Sequence, residues 1–151
     1  AKLRDDIAAA TKVRSNTTIF SVIGALKASG VTRIVHVCPF TAEFGADEAN
    51  FLRASGFDVV SSTGLNFTDA RVAAKMTPEE IFDIAVRVDH PDADGIFLAC
   101  ANVRAMEATD ALQQRLGKPV ITSNQAVLWD LLQMVGHPDA AKFISRAPAM
   151  A

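Results

Sequence analysis

A chain of 151 residues, half of them apolar and with a net charge of only −2, has the length of one domain with a substantial core and no electrostatic pull toward nucleic acid. No apolar run approaches the ~20 residues that span a bilayer and no signal peptide opens the sequence, so no membrane partner is expected and a cytoplasmic placement is. Cys38 and Cys100 are too few for a disulfide framework and are expected as free thiols.

Lys2–Ala10 has helical composition without an N-terminal cap, and Thr11–Ser15 reads as a short extended connection. Asn16, Thr17 and Thr18 offer caps for an apolar helix from about Ile19 to Ala28, which Gly30 stops. Arg33–Val37 reads as a buried strand. Thr41–Ser55 reads as an amphipathic helix with Phe44, Phe51 and Leu52 on its inner face and Gly56 at its end. Phe57–Ser61 is a second strand, and Ser62–Met76 a long polar loop of the kind that often carries ligand contacts. Thr77-Pro78-Glu79-Glu80 starts a helix, with Thr77 as cap, Pro78 in the first position and Glu80 closing a capping box. That helix reaches about Val88, and Asp89–Asp94 turns into a strand over Gly95–Ala99. A helix ending at Leu116 and Gly117, a strand over Pro119–Thr122, a Ser123/Asn124 cap and a helix from Gln125 to Val135 stopped by Gly136 complete the pattern. His137–Ala151 is Pro- and Ala-rich and expected to be irregular. Strands separated by helices of this length form parallel βαβ units, so the fold class is α/β, a parallel sheet flanked by helices.

Cys100 is the leading candidate for chemistry. Gly95–Ala99 is short and evenly apolar, as a buried parallel strand should be. The chain then turns through Ala101 and Asn102, which places the cysteine at the carboxyl edge of the sheet, where open α/β folds bind ligands. A helix starting there would offer free N–H groups and a partial positive charge to a thiolate and to a bound carboxylate. The plainer reading of a cysteine beside an apolar strand is a small buried hydrophobe, and Cys38 fits it better. His36, inside a strand, reads as a satisfied core histidine. His90 and His137 each precede a proline without a second ligand at metal spacing, so no metal is expected. Asp110, Glu107 and Arg104 read as the solvated face of a helix, and Trp129 as core. Without a G-x-G-x-x-G after a strand or a Walker motif, no nucleotide cofactor is expected.

A weak internal repeat is visible. Lys12 aligns with Lys118, Thr17 with Ser123, Leu26 with Leu132 and Gly30 with Gly136, an offset of 118 − 12 = 106. Residues 31–136 then form one complete unit, residues 1–30 the end of an earlier one, and residues 137–151 a tail. The earlier unit is expected to begin 106 − 31 = 75 residues upstream, with the counterpart of Cys100 at 100 − 106 = −6.

Two blocks, C-A-N-x-R at Cys100–Arg104 and G-K-P-V-x-T-S-N-Q-A-x-L-W at Gly117–Trp129, resemble the C-terminal signature of the aspartate/glutamate racemase superfamily. The resemblance is closest to its branch of maleate cis-trans isomerases, arylmalonate decarboxylases and ectoine-utilisation proteins, and it runs more loosely back to Val31. It implies one half of a pseudo-two-fold, two-domain fold, with the site in the cleft between halves and one cysteine from each. It implies cofactor-independent chemistry on the carbon next to a carboxylate of a small carboxylic acid. Racemases use the two thiols as base and acid, and maleate-type isomerases use one to attack the double bond. Arylmalonate decarboxylases keep one as proton donor. Cys100 takes the proton-transfer role in each scheme, and the N–H groups of Ala101 and Asn102 would help hold the carboxylate. A Thr-Pro-Tyr motif of the family stands here as Cys38-Pro39-Phe40, so Pro39 and Phe40 fall at the substrate but the tyrosine hydroxyl is gone. Asp-Asn in the long loop stands as Asp69-Ala70, and Asn66 is the candidate to compensate. The expected function is a maleate isomerase-like isomerase or racemase forming a homo-oligomer. The alternatives are an arylmalonate decarboxylase-like enzyme and a non-catalytic carboxylate-binding or assembly domain. By itself the 151-residue chain is expected to be inactive, because a cleft needs two walls.

Overall fold

Alternation within short apolar runs decides the architecture. In the computed structural model, which describes residues 2–144, strands β1 (Arg33–Cys38), β2 (Asp58–Gly64), β3 (Gly95–Leu98) and β4 (Val120–Thr122) form one parallel sheet in the order β2-β1-β3-β4. Successive strand residues face opposite sides. Ile34 and Cys38 of β1, with Phe97 and Ile121, therefore pack on one face, and Val35, Val37, Ile96, Leu98 and Val120 on the other. Both faces are covered, which is why these strands read as unbroken apolar runs.

Helices α2 (Thr18–Ala28), α3 (Ala42–Ala54) and α7 (Ser123–Met134) cover the first face through Leu26, Leu52 and Ala126. The one-turn α4 (Ala70–Ala73), α5 (Pro78–Val88) and α6 (Thr109–Leu116) cover the second through Ala73, Ile81 and Leu112. Leu26, Leu52, Ile34 and Ile121 are fully buried, each contributing about 1.5–3 kcal/mol relative to exposure. The first helix, α1 (Lys2–Thr11), buries no residue. The Thr77–Glu80 capping box forms as read, with both of its hydrogen bonds. Gly30 and Gly136 both take left-handed backbone at the ends of α2 and α7.

Several expectations need correction. Phe44 and Phe51 lie on the outer flanks of α3, 54% and 42% exposed, and its inner stripe is Gly45, Ala49 and Leu52. The approach is close at the start of the helix: a Cβ on Gly45 would already touch Cys38 Cβ at 3.6 Å, which leaves no room there for a ring. The two rings instead meet other rings edge to face, Phe44 with Phe40 and Phe51 with Phe20. The second strand runs on to Gly64, paired with Cys38, and the supposed polar loop contains α4, capped by the Asp69 carboxylate. Thr11 still belongs to α1, so the connection to α2 starts at Lys12 rather than Thr11. The cap of α7 is Thr122, whose hydroxyl accepts from Gln125 N–H. Pro138–Phe143 forms a 3-10 helix in the tail, and the rest of the tail, 145–151, lies outside the described residues.

Candidate active site

At the carboxyl edge of the two central strands, β1 and β3, lies a cleft of about 240 Å³ that holds both cysteines. Its walls are apolar where Ile19, Phe40, Phe44 and Phe97 face it, and polar at Thr18, Glu48 and Ser123. No lysine or arginine is among its described lining residues. A larger open hollow of about 460 Å³ lies under α4 and α5, with Lys75, Glu80, Asp83 and Arg87 on its rim, and it contains no thiol.

Cys100 is half-buried, two residues past β3, in left-handed backbone with φ 85°. A non-glycine residue in that region is uncommon and marks a position its surroundings over-determine. Two contacts hold it: Asn102 N–H donates to Cys100 Sγ at 3.4 Å, and the Asn124 side-chain amide donates to Ala101 O at 3.1 Å. The helix expected directly after Cys100 does not start there. A turn leads to a 3-10 segment, Ala105–Ala108, and α6 begins only at Thr109. The positive helix ends at the cleft belong instead to α7, through Ser123, and α2, through Thr18. Free N–H groups and the axial dipole at both ends favour an anion between them.

Cys38 ends β1 at the floor of the same cleft and is fully buried. Burial pushes its thiol up to about 11, aided by the charge of Glu48 and opposed by the backbone N–H of Phe40. It is therefore a neutral thiol at physiological pH, in keeping with a structural role.

The predicted site residues divide. Cys100, Phe40 and Ala101 line the cleft together, and Asn102 reaches it through its N–H bond to the thiol. Pro39 turns to the other side of the sheet, against Leu65, Met76 and Val103. Asn66 is outside the cleft and exposed. Its φ is 61°, its N–H donates to Phe40 O, and its Oδ1 accepts from Ala42 N–H at the start of α3. Asn66 thus braces the Cys38–Phe40 turn, because its side chain is committed to that helix end. His36 is fully buried and satisfied, as read, but its partner was not foreseen: Nε2 lies 3.0 Å from the Glu48 carboxylate. A histidine in an apolar strand and a glutamate on the narrow stripe of the following helix were the available signals. His90 and His137 each accept a backbone N–H two residues on, capping their turns. Arg104 and Glu107 pair with each other in solvent.

A family model described as arylmalonate decarboxylase matches residues 1–147. Arylmalonate decarboxylase of Bordetella bronchiseptica is 28% identical over 129 residues, covering 84% of this chain and 54% of that protein. Maleate isomerase of Alcaligenes faecalis is 25% identical over 116 residues, covering 76% and 45%. The chain spans about half the length of these relatives. Among solved structures, an arylmalonate decarboxylase superposes with TM-score 0.84 at 27% identity, over 91% of this chain and 61% of that one. Nocardia farcinica maleate cis-trans isomerase, solved with a covalently bound succinylcysteine intermediate, gives TM-score 0.85 over 92% and 59%, and at 16% identity it speaks for the fold alone. The four-stranded sheet and its helices thus have the Asp/Glu racemase-like fold of these neighbours, over about three-fifths of their length.

Proposed function

Since the chain belongs to the arylmalonate decarboxylase family, we propose that it supplies one wall of a cofactor-independent, cysteine-dependent enzyme acting next to the carboxylate of a small carboxylic or dicarboxylic acid. The activity proposed is that of a maleate isomerase-like isomerase or racemase, with Cys100 as the proton-transfer residue. The observation that carries this reading is the Cys100 thiol, half-exposed and held by the Asn102 N–H in a left-handed turn at the sheet edge. A thiol has an ordinary pKa of about 8.5, so it can take or give a proton near neutrality. In a racemase step, the Cys100 thiolate removes the α-proton, and the electron pair moves into the carboxylate to give an enediolate. A group on the opposite face then returns a proton to carbon. The N–H groups at the Cys100 turn and the ends of α2 and α7 would hold the growing negative charge, which is where preorganised donors have most effect.

A second reading is favoured by the 28% identical relative and by the presence of one accessible thiol in this wall. In it, carbon dioxide leaves a malonate, and the Cys100 thiol protonates the resulting enediolate. One experiment addresses both. The natural full-length protein is incubated with maleate, succinate and phenylmalonate in deuterium oxide, and isomerisation, α-deuterium uptake and carbon dioxide release are followed. Replacement Cys100→Ser is expected to lower whichever rate is found by about 10²–10⁴-fold, the range of general acid–base catalysis. An undiminished rate in Cys100→Ser would refute the role assigned to this thiol.

A further inference from the structure

Glu48 carries a charge where the fold would favour an apolar side chain. It lies on α3 beside the inner stripe of Gly45, Ala49 and Leu52, and only 20% of its side chain is exposed. A charge so placed is costly unless it is paired, and the chain supplies a dedicated partner. His36, two residues before Cys38 on the same face of β1, puts Nε2 at 3.0 Å from Glu48 Oε2. Its Nδ1 meets Ser62 Oγ at 2.9 Å, and its ring stacks on Phe97 with centroids 5.6 Å apart. The carboxylate is thus oriented from behind, by a fully buried histidine, toward the cleft it shares with Cys38 and Cys100. His36 holds Oε2 and the Cys38 thiol also lies against this carboxylate, which still lines the cleft with acceptor lone pairs beyond those two contacts. No described cation on this wall would offset a second negative group beside it.

We propose that Glu48 is a specificity-determining residue: it accepts a hydrogen bond from a hydroxyl or amino group of the substrate, so the preferred acid has one carboxylate at the Cys100 turn and a donor, not a second carboxylate, at the Glu48 end. This rests on the reading of the Cys100 turn as a carboxylate site and, within the class of small carboxylic acids proposed above, favours hydroxy or amino monocarboxylates over dicarboxylates such as maleate and malonates. A carboxylate against Glu48 would meet like charge at short range with apolar walls on either side, where water screens poorly. A hydroxyl there completes a charge-assisted hydrogen bond.

The test is calorimetric titration of the full chain with butanoate, 4-hydroxybutanoate and succinate, which share a four-carbon skeleton and differ at the far end. The native protein is expected to prefer 4-hydroxybutanoate to succinate by at least about tenfold, or 1.4 kcal/mol. Glu48→Gln keeps an acceptor oxygen for His36 and removes the charge, and it is expected to bring the two within about threefold, mainly by strengthening succinate. Should that variant not fold, the native preference decides. Succinate bound as tightly as 4-hydroxybutanoate by the native chain, or a ratio unmoved in Glu48→Gln, would overturn the inference, while butanoate binding would show the carboxylate site still standing. Failure of all three acids to bind would remove the carboxylate site and the inference with it.

Discussion

The buried thiol at the floor of the cleft makes native stability pH-dependent in alkaline solution. Cys38 is raised from an ordinary 9.0 to about 11 in the folded chain, first by burial and then by the Glu48 charge, against the opposing Phe40 N–H. Below about pH 9 the thiol is protonated in both folded and unfolded states and its contribution is intact. Between 9 and 11 the unfolded chain releases the proton and the folded chain does not, so the folded state binds more protons and stability falls as pH rises. Two units at about 1.4 kcal/mol each set the loss at about 3 kcal/mol at most, complete by about pH 11. The chain has no tyrosine, which leaves the lysines and Cys100 as background. Urea unfolding under reducing conditions, at about pH 8 and about pH 11, gives the native loss. The same pair of measurements on Cys38→Ala subtracts the background. Native protein should lose about 2–3 kcal/mol more than the variant over this interval, even though the variant starts less stable because of the cavity it leaves. Equal losses in the two proteins would refute the assignment of a raised pKa to this thiol.

Gly64→Ala tests the close packing that brings α3 onto the sheet. The new methyl would lie 2.8–2.9 Å from the backbone of Thr41 and Ala42, atoms that cannot rotate away, so β2 or the start of α3 must shift. Overpacking of this kind costs about 1–3 kcal/mol, a fall in melting temperature on the order of 5 °C for a domain of this size; an unchanged melting curve would contradict the packing. Thr77→Ala removes the oxygen that accepts from Glu80 N–H at 3.2 Å and breaks the capping box of α5. It should cost about 1 kcal/mol, measured as a lower urea midpoint at constant slope, and no shift would mean that solvent caps the helix equally well.

The parts of the fold legible in the sequence are those governed by local rules. Proline, hydroxyl and carboxylate residues in the right order marked the start of α5, glycines marked the ends of α2, α6 and α7, and short apolar runs marked β1, β3 and β4. The errors concern distances between elements, which one-dimensional periodicity does not contain. Apolar character alone puts Phe44 and Phe51 on the inner face of α3, but the helix rests on the sheet through Gly45, Ala49 and Leu52, with Gly45 close against Cys38. Asn66 had the right residue type for a carboxylate ligand, yet its left-handed φ and its bond to Ala42 N–H commit it to the Phe40 turn. Asp69 similarly caps α4 and pairs with Arg71, whose guanidinium holds its carboxyl below the usual range.

At the cleft, the expected position of Cys100 holds while the expected local picture around it does not. Cys100 was placed at the sheet edge by the end of an apolar strand, and that placement holds, but the helix meant to activate it begins only at Thr109. The helix ends that do reach the cleft, Thr18 of α2 and Ser123 of α7, come from positions 82 residues before (100 − 18) and 23 residues after (123 − 100) the cysteine. Thr17 and Ser123 are also the hydroxyl residues aligned by the internal repeat. Gly24 of α2 lies against Trp129 of α7, and Asn16 and Ser21 both donate to Asp130, so the two repeat-related helices pack directly on one another. Their N-termini meet at the cleft because each precedes a helix laid on the same sheet face. The positive end of the cleft is therefore supplied by the helix pair rather than by the thiol-bearing loop. Glu48, one of whose oxygens is held by His36 on that same face, sets the limit on how much negative charge the cleft will accept.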